Sequence, residues 1–175
     1  YEYDYDNRPW EECLESIKTV VINNGVTTID AYAFDGCTSL INVTIPDSVT
    51  SIGDWAFCYC NSLTNVAVDN DNQYFSNDEY GVLFNKDKTT LIQYPIGNAR
   101  TSYTIPDSVT TIGSFAFESC NKLAEVVIGN GVEMIGISAF AYCGSLTEVI
   151  IPDSVETVCD AAFYWCEKLS NVIIG

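Results

Sequence analysis

Histidine is absent from the sequence, methionine occurs once, and only seven of 175 residues are basic. Without histidine there is no Ser–His or Cys–His pair within the chain, which removes nucleophilic catalysis of that kind. Zinc also loses its usual nitrogen ligand, and Cys58-x-Cys60 is too tight for the common Cys-x2-Cys loop, so neither metal nor cofactor is expected. Against the seven basic residues stand 24 acidic ones, giving a formal charge of −17. Such a surface repels phosphate backbones and anionic lipid, which argues against nucleic-acid binding. No apolar run approaches the ~18 residues of a membrane helix, and no secretory leader is visible. Among the many carboxylate pairs, none sits in a context with one acid buried and one solvated, as a glycosidase needs. The acids read as solvated surface and the chain as non-enzymatic.

What is present is a repeat. Ala-Phe-x-x-Cys-x-x-Leu occurs at 33–40, 56–63, 116–123, 139–146 and 162–169, and its cysteines (37, 60, 120, 143, 166) are spaced 23, 60, 23 and 23. A fixed period of this length means stacked coils sharing one core, so residues 1–175 form a single elongated solenoid. With 47% hydrophobic residues, rich in Val, Ile, Phe and Tyr, the chain can bury that core and favours strands. Five of eight cysteines hold one repeat position, where a thiol packs as a small hydrophobe. They read as free, packed thiols, although the coil spacing of about 4.8 Å leaves pairing sterically open. Cys13, Cys58 and Cys159 lie off this ladder, Cys159 where other repeats have Gly53, Gly113 and Gly136.

Within one coil, Leu40-x-x-Val43-x-Ile45 alternates as a strand with one buried face, and Pro46-Asp47-Ser48 ends it because proline lacks a ladder N–H. Ile-Pro-Asp-Ser-Val returns at 105–109 and 151–155. In two coils it becomes Ile22-Asn23-Asn24-Gly25-Val26 and Ile128-Gly129-Asn130-Gly131-Val132, where Asn-Gly should supply positive φ. Asp54 to Cys60 reads as about one helical turn, with Ala56, Phe57 and Cys60 inward. The organisation is then a lead-in and cap at 1–16, regular repeats at 17–63, an extended repeat at 64–100 and regular repeats at 101–175. In the extended repeat, Val82–Phe84 and Thr90–Tyr94 flank the turn Asn85–Lys88, and this hairpin should protrude from the stack. Trp10, Leu14 and Ile17 share one helical face and should cover the open first coil. The chain opens at Tyr1 and stops at Gly175 in mid-repeat, so both ends read as cut, with more coils or a partner expected beyond Ile174.

The consensus Leu-x-x-Val-x-Ile-Pro-x-x-Val-x-x-Ile-Gly-x-x-Ala-Phe-x-x-Cys resembles the repeat of BspA-like leucine-rich repeat proteins, and residues 78–95 are similar to that family's long variant repeat. The segment from Pro9-Trp10 to Ile22 resembles the junction before the family's first repeat, so the likeness covers nearly everything beyond residue 8. The resemblance implies an α/β repeat fold: a right-handed leucine-rich-repeat solenoid, strand-rich with short helical or 3-10 turns and a parallel sheet on one face. It also implies a cell-surface or secreted bacterial protein that adheres to host or microbial proteins, with no shared catalytic residues. The asparagine of ordinary leucine-rich repeats is missing, with Ser48, Ser108 and Ser154 near its place. A rival reading is a structural scaffold or spacer displaying other domains of a longer chain.

Two groups of residues are candidates for contact with a partner. Stacking should align Thr19, Asn42, Asn65, Ser102, Glu125, Glu148 and Asn171 in one outward column, and Val21, Thr44, Ala67, Thr104, Val127, Ile150 and Ile173 in the next. Val127, Ile150 and Ile173 then form an apolar stripe beside Glu125, Glu148 and Asn171, a pattern of protein contact that plain β-propensity could also produce. Aromatic residues recur at Tyr32, Trp55 and Phe115, and at Tyr59, Tyr142 and Trp165; they either face a ligand or pack between coils. Asp69-x-Asp71-x-Gln73 hints at a calcium loop but has Tyr74 and Tyr80 where an EF-hand needs Gly and Glu, so it reads as an exposed turn.

Overall fold

The computed structural model describes residues 8–175, and the lead-in residues 1–7 lie outside them. After a 3-10 helix (Glu11–Ser16), the first coil holds β1 (Thr19–Val21) and β2 (Thr28–Ile29), and the second β3 (Asn42–Ile45) and β4 (Ser51–Ile52). The third holds β5 (Asn65–Val68), β6 (Phe75–Asn77), β7 (Leu83–Asn85) and β8 (Thr90–Gln93). Then follow β9 (Ser102–Thr104), β10 (Thr111–Ile112), β11 (Glu125–Val127), β12 (Met134–Ile135), β13 (Glu148–Ile151), β14 (Thr157–Val158) and β15 (Asn171–Ile174). The result is a parallel β-solenoid of about seven turns. Its main face carries β1-β3-β5 and β9-β11-β13-β15, while the short second strands form a side wall of their own.

Period-two alternation sets the main face, since successive side chains of a strand point to opposite sides. Val43, Val66, Val126 and Val149 are buried, and the residues directly before and after each look outward. Each strand ends in a turn closed by the third residue on: the Val109 N–H donates to the Pro106 carbonyl at 3.0 Å, and Val132 does the same to Gly129 at 3.1 Å. The two Asn-Gly turns differ in their reason for glycine. Gly25 has the expected φ of +102°. Gly131 has no positive φ; a Cβ there would strike the Asp107 carbonyl, so glycine is needed for space.

The segment read as a helical turn is not helical. Cys58 and Cys60 donate three residues back, to Trp55 and Phe57. In the equivalent first-coil turn the N–H groups alternate: Tyr32, Phe34 and Gly36 donate to Asp54, Ala56 and Cys58 of the next coil, whereas Ala33, Asp35 and Cys37 donate three residues back. Sending every second N–H forward requires left-handed backbone, found at Tyr32, Trp55, Phe115, Ser138 and Ala161 and again at Gly36, Tyr59, Ser119, Tyr142 and Trp165. The inward phenylalanines stack coil on coil, with Phe34–Phe57, Phe117–Phe140 and Phe140–Phe163 centroids 5.8, 4.7 and 5.1 Å apart. Each such pair contributes about 0.5–1.5 kcal/mol beyond area burial. The five ladder cysteines are buried and free, and Cys60, Cys143 and Cys166 donate their thiol protons to the Phe34, Phe117 and Phe140 carbonyls.

At the first coil the carbonyls that would meet a preceding coil are capped by side chains. Arg8 Nη1 donates to the Asp35 carbonyl and Trp10 Nε1 to that of Ala33, and Arg8 Nη1 also reaches the Tyr32 carbonyl, which accepts from Asp35 within the turn. Trp10, Leu14 and Ile17 cover the core end, as their shared face implies, with Trp10 stacked 5.2 Å from Phe34.

The extended repeat does not protrude. β7 and β8 form the expected hairpin, but β6 joins it as a third antiparallel strand and β8 pairs in parallel with β10, placing the hairpin inside the side wall. Val82, Leu83, Phe84 and Leu91 are fully buried. Their side chains alternate between two cores: Leu83 and Phe75 pack with the N-terminal coils, Val82, Phe84 and Leu91 with the C-terminal ones. A run apolar at consecutive positions is buried on both sides, which is why a protruding hairpin was the wrong geometry. The repeat also interrupts the main face. The Gly81 carbonyl accepts from the Val66 N–H and Asn77 Oδ1 from that of Val68, so the columns stop at Asn65 and Ala67 and restart at Ser102 and Thr104.

Candidate interaction surface

The uninterrupted part of the main face is the C-terminal part. Register pairs run Ser102–Glu125–Glu148–Asn171 and Thr104–Val127–Ile150–Ile173. Val127, Ile150 and Ile173 are 46%, 53% and 46% exposed, one above the other. Beside them Glu125, Glu148 and Asn171 are also exposed, and the Asn171 amide donates to Glu148 Oε2. A shallow depression of about 480 Å³ lies between Glu125, Val127, Glu148 and Ile150.

The two aromatic columns have different fates. Tyr32 stacks on Trp55 at 4.9 Å, and Trp55 meets Phe115 at 4.9 Å, so this column is half-buried packing between coils. Tyr59, Tyr142 and Trp165 are exposed. Tyr142 and Trp165 belong to a trio with Tyr164, their centroids 5.7 to 6.0 Å apart.

Trp55 reaches Phe115 because the third coil is shortened on that side. Only Tyr94 follows the ladder there, its N–H donating to the Ala116 carbonyl, and its ring continues the stack onto Phe117. The turns of the second and fourth coils therefore meet over it, and the Cys58 thiol donates to Glu118 Oε2 at 3.1 Å. Glu118 is buried, which raises its carboxyl; the Cys58 contact opposes this and Asp35 adds to it. The small cavity at this junction, about 70 Å³, has room for water only.

A model of the "BspA type Leucine rich repeat region" matches residues 7–92 and 97–175 in six copies. The chain belongs to this family. Among solved structures, the BspA-type chain is similar to the pneumococcal vaccine antigen PcpA, at 25% identity and a TM-score of 0.72, covering 91% of this chain and 51% of that one. It is similar in fold to a leucine-rich cell surface protein from Faecalibacterium prausnitzii (22% identity, TM-score 0.60, 95% and 62% covered). A leucine-rich repeat protein from Bacteroides ovatus is a further likeness (22% identity, TM-score 0.55, 89% and 45% covered). The BspA-type chain thus spans about half the length of PcpA. No curated protein matches it.

The recurring cysteines of the BspA-type repeat are held as thiols. Burial pushes the Cys37 thiol up to about 11 and the Cys143 thiol to about 12, so neither supplies thiolate at neutral pH. The Asp69–Gln73 loop has a cation of its own: Lys86 Nζ donates to the Asn70 and Asn72 carbonyls. Asn72, buried, holds the loop to the second coil by donating to the Pro46 and Val49 carbonyls. Sequence reasoning missed Glu118 and Tyr164. They share the repeat position of Asp35 and Cys58, whose surroundings change from coil to coil, so periodicity alone assigns them no side.

Proposed function

We propose that this chain is a non-catalytic protein-binding module of a cell-surface or secreted bacterial protein, adhering to host or microbial proteins through the β11-β13-β15 face. The observation that carries the reading is the exposed Val127–Ile150–Ile173 ladder with its polar border of Glu125, Glu148 and Asn171. An apolar strip with a polar rim is how protein contacts are built, and solenoids act through extended surfaces of this kind. Family membership and the likeness to a vaccine antigen and a cell surface protein support an extracellular setting. The test is binding to a panel of immobilised extracellular-matrix and microbial surface proteins, with Ile150→Lys and Ile173→Lys compared. Loss of about tenfold or more in affinity is expected from burying a lysine where an isoleucine sat. Binding unchanged by both substitutions, or no binding at all, favours the second reading, a spacer displaying other domains. That alternative draws on the short span of this chain relative to its solved neighbours.

A further inference from the structure

The β11-β13-β15 face differs from the rest of the solenoid in charge as well as polarity. Glu125 and Glu148 are direct register partners, so their backbones lie about one strand spacing, ~4.8 Å, apart and both carboxylates project from the same face. Like charges opposite one another destabilise a sheet. Neither is neutralised: among the described residues the one salt bridge is Arg8 to Glu11, at the other end of the stack. Lys122, which precedes β11, is held away by donating to the Gly97 carbonyl. Asp107, in the turn after the neighbouring β9, and Asp153, in the turn after β13, add further exposed negative charge. The outward residues of β1, β3 and β5, in contrast, are Thr19, Val21, Asn42, Thr44, Asn65 and Ala67, with no charge at all. Apolar strip and acid without a counter-charge therefore coincide only at one end.

Resting on the strand-face reading above, we infer that the partner presents a basic amphipathic polypeptide segment lying along the solenoid axis. Its apolar side chains would sit on Val127, Ile150 and Ile173, and its Lys or Arg side chains beside Glu125 and Glu148. The spacing suits this. The apolar and acidic columns run parallel, two residues or about 6.8 Å apart, and each repeats at the strand spacing. A segment with one apolar edge and one basic edge meets both columns at once, whereas an acidic or anionic surface is repelled. Bringing a cation to the Glu125–Glu148 pair relieves a repulsion already present in the free protein, so charge should select the partner as well as attract it.

The probe is a short helical Leu/Lys peptide, with a Leu/Glu peptide of the same pattern for comparison, both measured by fluorescence anisotropy at low and high salt. The Lys peptide should bind, and the double variant Glu125→Gln, Glu148→Gln should weaken it about three- to tenfold and flatten its salt dependence. Glu133→Gln with Glu156→Gln makes the same charge change beside the side wall and should leave affinity unchanged. Three results overturn the inference: no binding of the Lys peptide, equal binding of the Glu peptide, or equal weakening by the Glu133/Glu156 pair, which would mean bulk charge alone. Ile150→Ser separates the two levels. Weakening by Ile150→Ser without any effect of the Glu125/Glu148 pair refutes the basic partner but keeps the strand-face reading. Indifference to Ile150→Ser refutes the strand face itself.

Discussion

Replacing Leu83 and Phe84 one at a time by alanine should loosen opposite ends of the stack. The two residues are adjacent in β7 and both fully buried, yet Leu83 belongs to the N-terminal core with Leu40, Val43 and Leu63 while Phe84 belongs to the C-terminal core with Leu91, Tyr103 and Phe117. Truncating a buried Leu costs about 3–5 kcal/mol and a buried Phe about the same, from lost transfer energy plus the cavity left behind. A tenfold change in an equilibrium is about 1.4 kcal/mol, so ~3 kcal/mol taken from one half should raise its amide exchange roughly a hundredfold. Hydrogen exchange read by mass spectrometry resolves the halves. Leu83→Ala should deprotect the segments around Val43 and Val66, and Phe84→Ala those around Val126 and Val149. A protruding hairpin would give neither effect, and both variants loosening the same half would refute the shared-wall geometry.

Three further outcomes follow from single buried or strained groups. The Tyr94 hydroxyl is buried without a hydrogen-bond partner, so Tyr94→Phe should leave urea stability unchanged or raise it by about 1 kcal/mol; a clear loss would show that the hydroxyl is engaged. Burial raises the Glu118 carboxyl, so folding favours its protonated form. Its contribution is full below the ordinary carboxylate range and lost as pH rises through the raised value. Glu118→Gln should therefore stabilise at neutral pH and flatten the melting temperature above the ordinary carboxylate range relative to the parent; an unchanged profile counts against a buried acid. Ala161 is exposed at a φ of +56°, and Ala161→Gly should add about 0.5–1 kcal/mol by thermal melting, the left-handed penalty less the unfolded-state cost of glycine.

Much of the fold is legible in the repeat because each coil makes the same bonds to the next. The positions of Val43, Cys60 and Phe117 need only the period, and so do the register pairs Glu125–Glu148 and Val127–Ile150. What the period hides is whatever happens once. The Val82-Leu83-Phe84 run carried a usable signal, since a strand apolar on both faces has to be covered on both, but it stood outside the repeat and read as an appendage. Likewise, Glu118 meets Cys58 only because the coil between them is short, a contact across 60 positions that no spacing rule contains. The left-handed turns escaped notice because Tyr, Trp and Phe hold positions where glycine would be the usual clue.

The forward-pointing N–H groups of the turns give the solenoid a sense of direction. The turns of the first, fourth and fifth coils send donors toward the following coil and present carbonyls to the preceding one, so the two sides of such a turn have opposite hydrogen-bonding character. Arg8 and Trp10 show what this demands at one end: a cover there must bring donors, and guanidinium and indole have no acceptor to clash with. A cover for the same turn at the other end must bring acceptors, although elsewhere in the coil carbonyls such as those of Ile112 and Ile135 face the following coil. A cap moved unchanged from one end to the other would meet the wrong groups at this turn, and two copies stacked head to head would bring like groups together there.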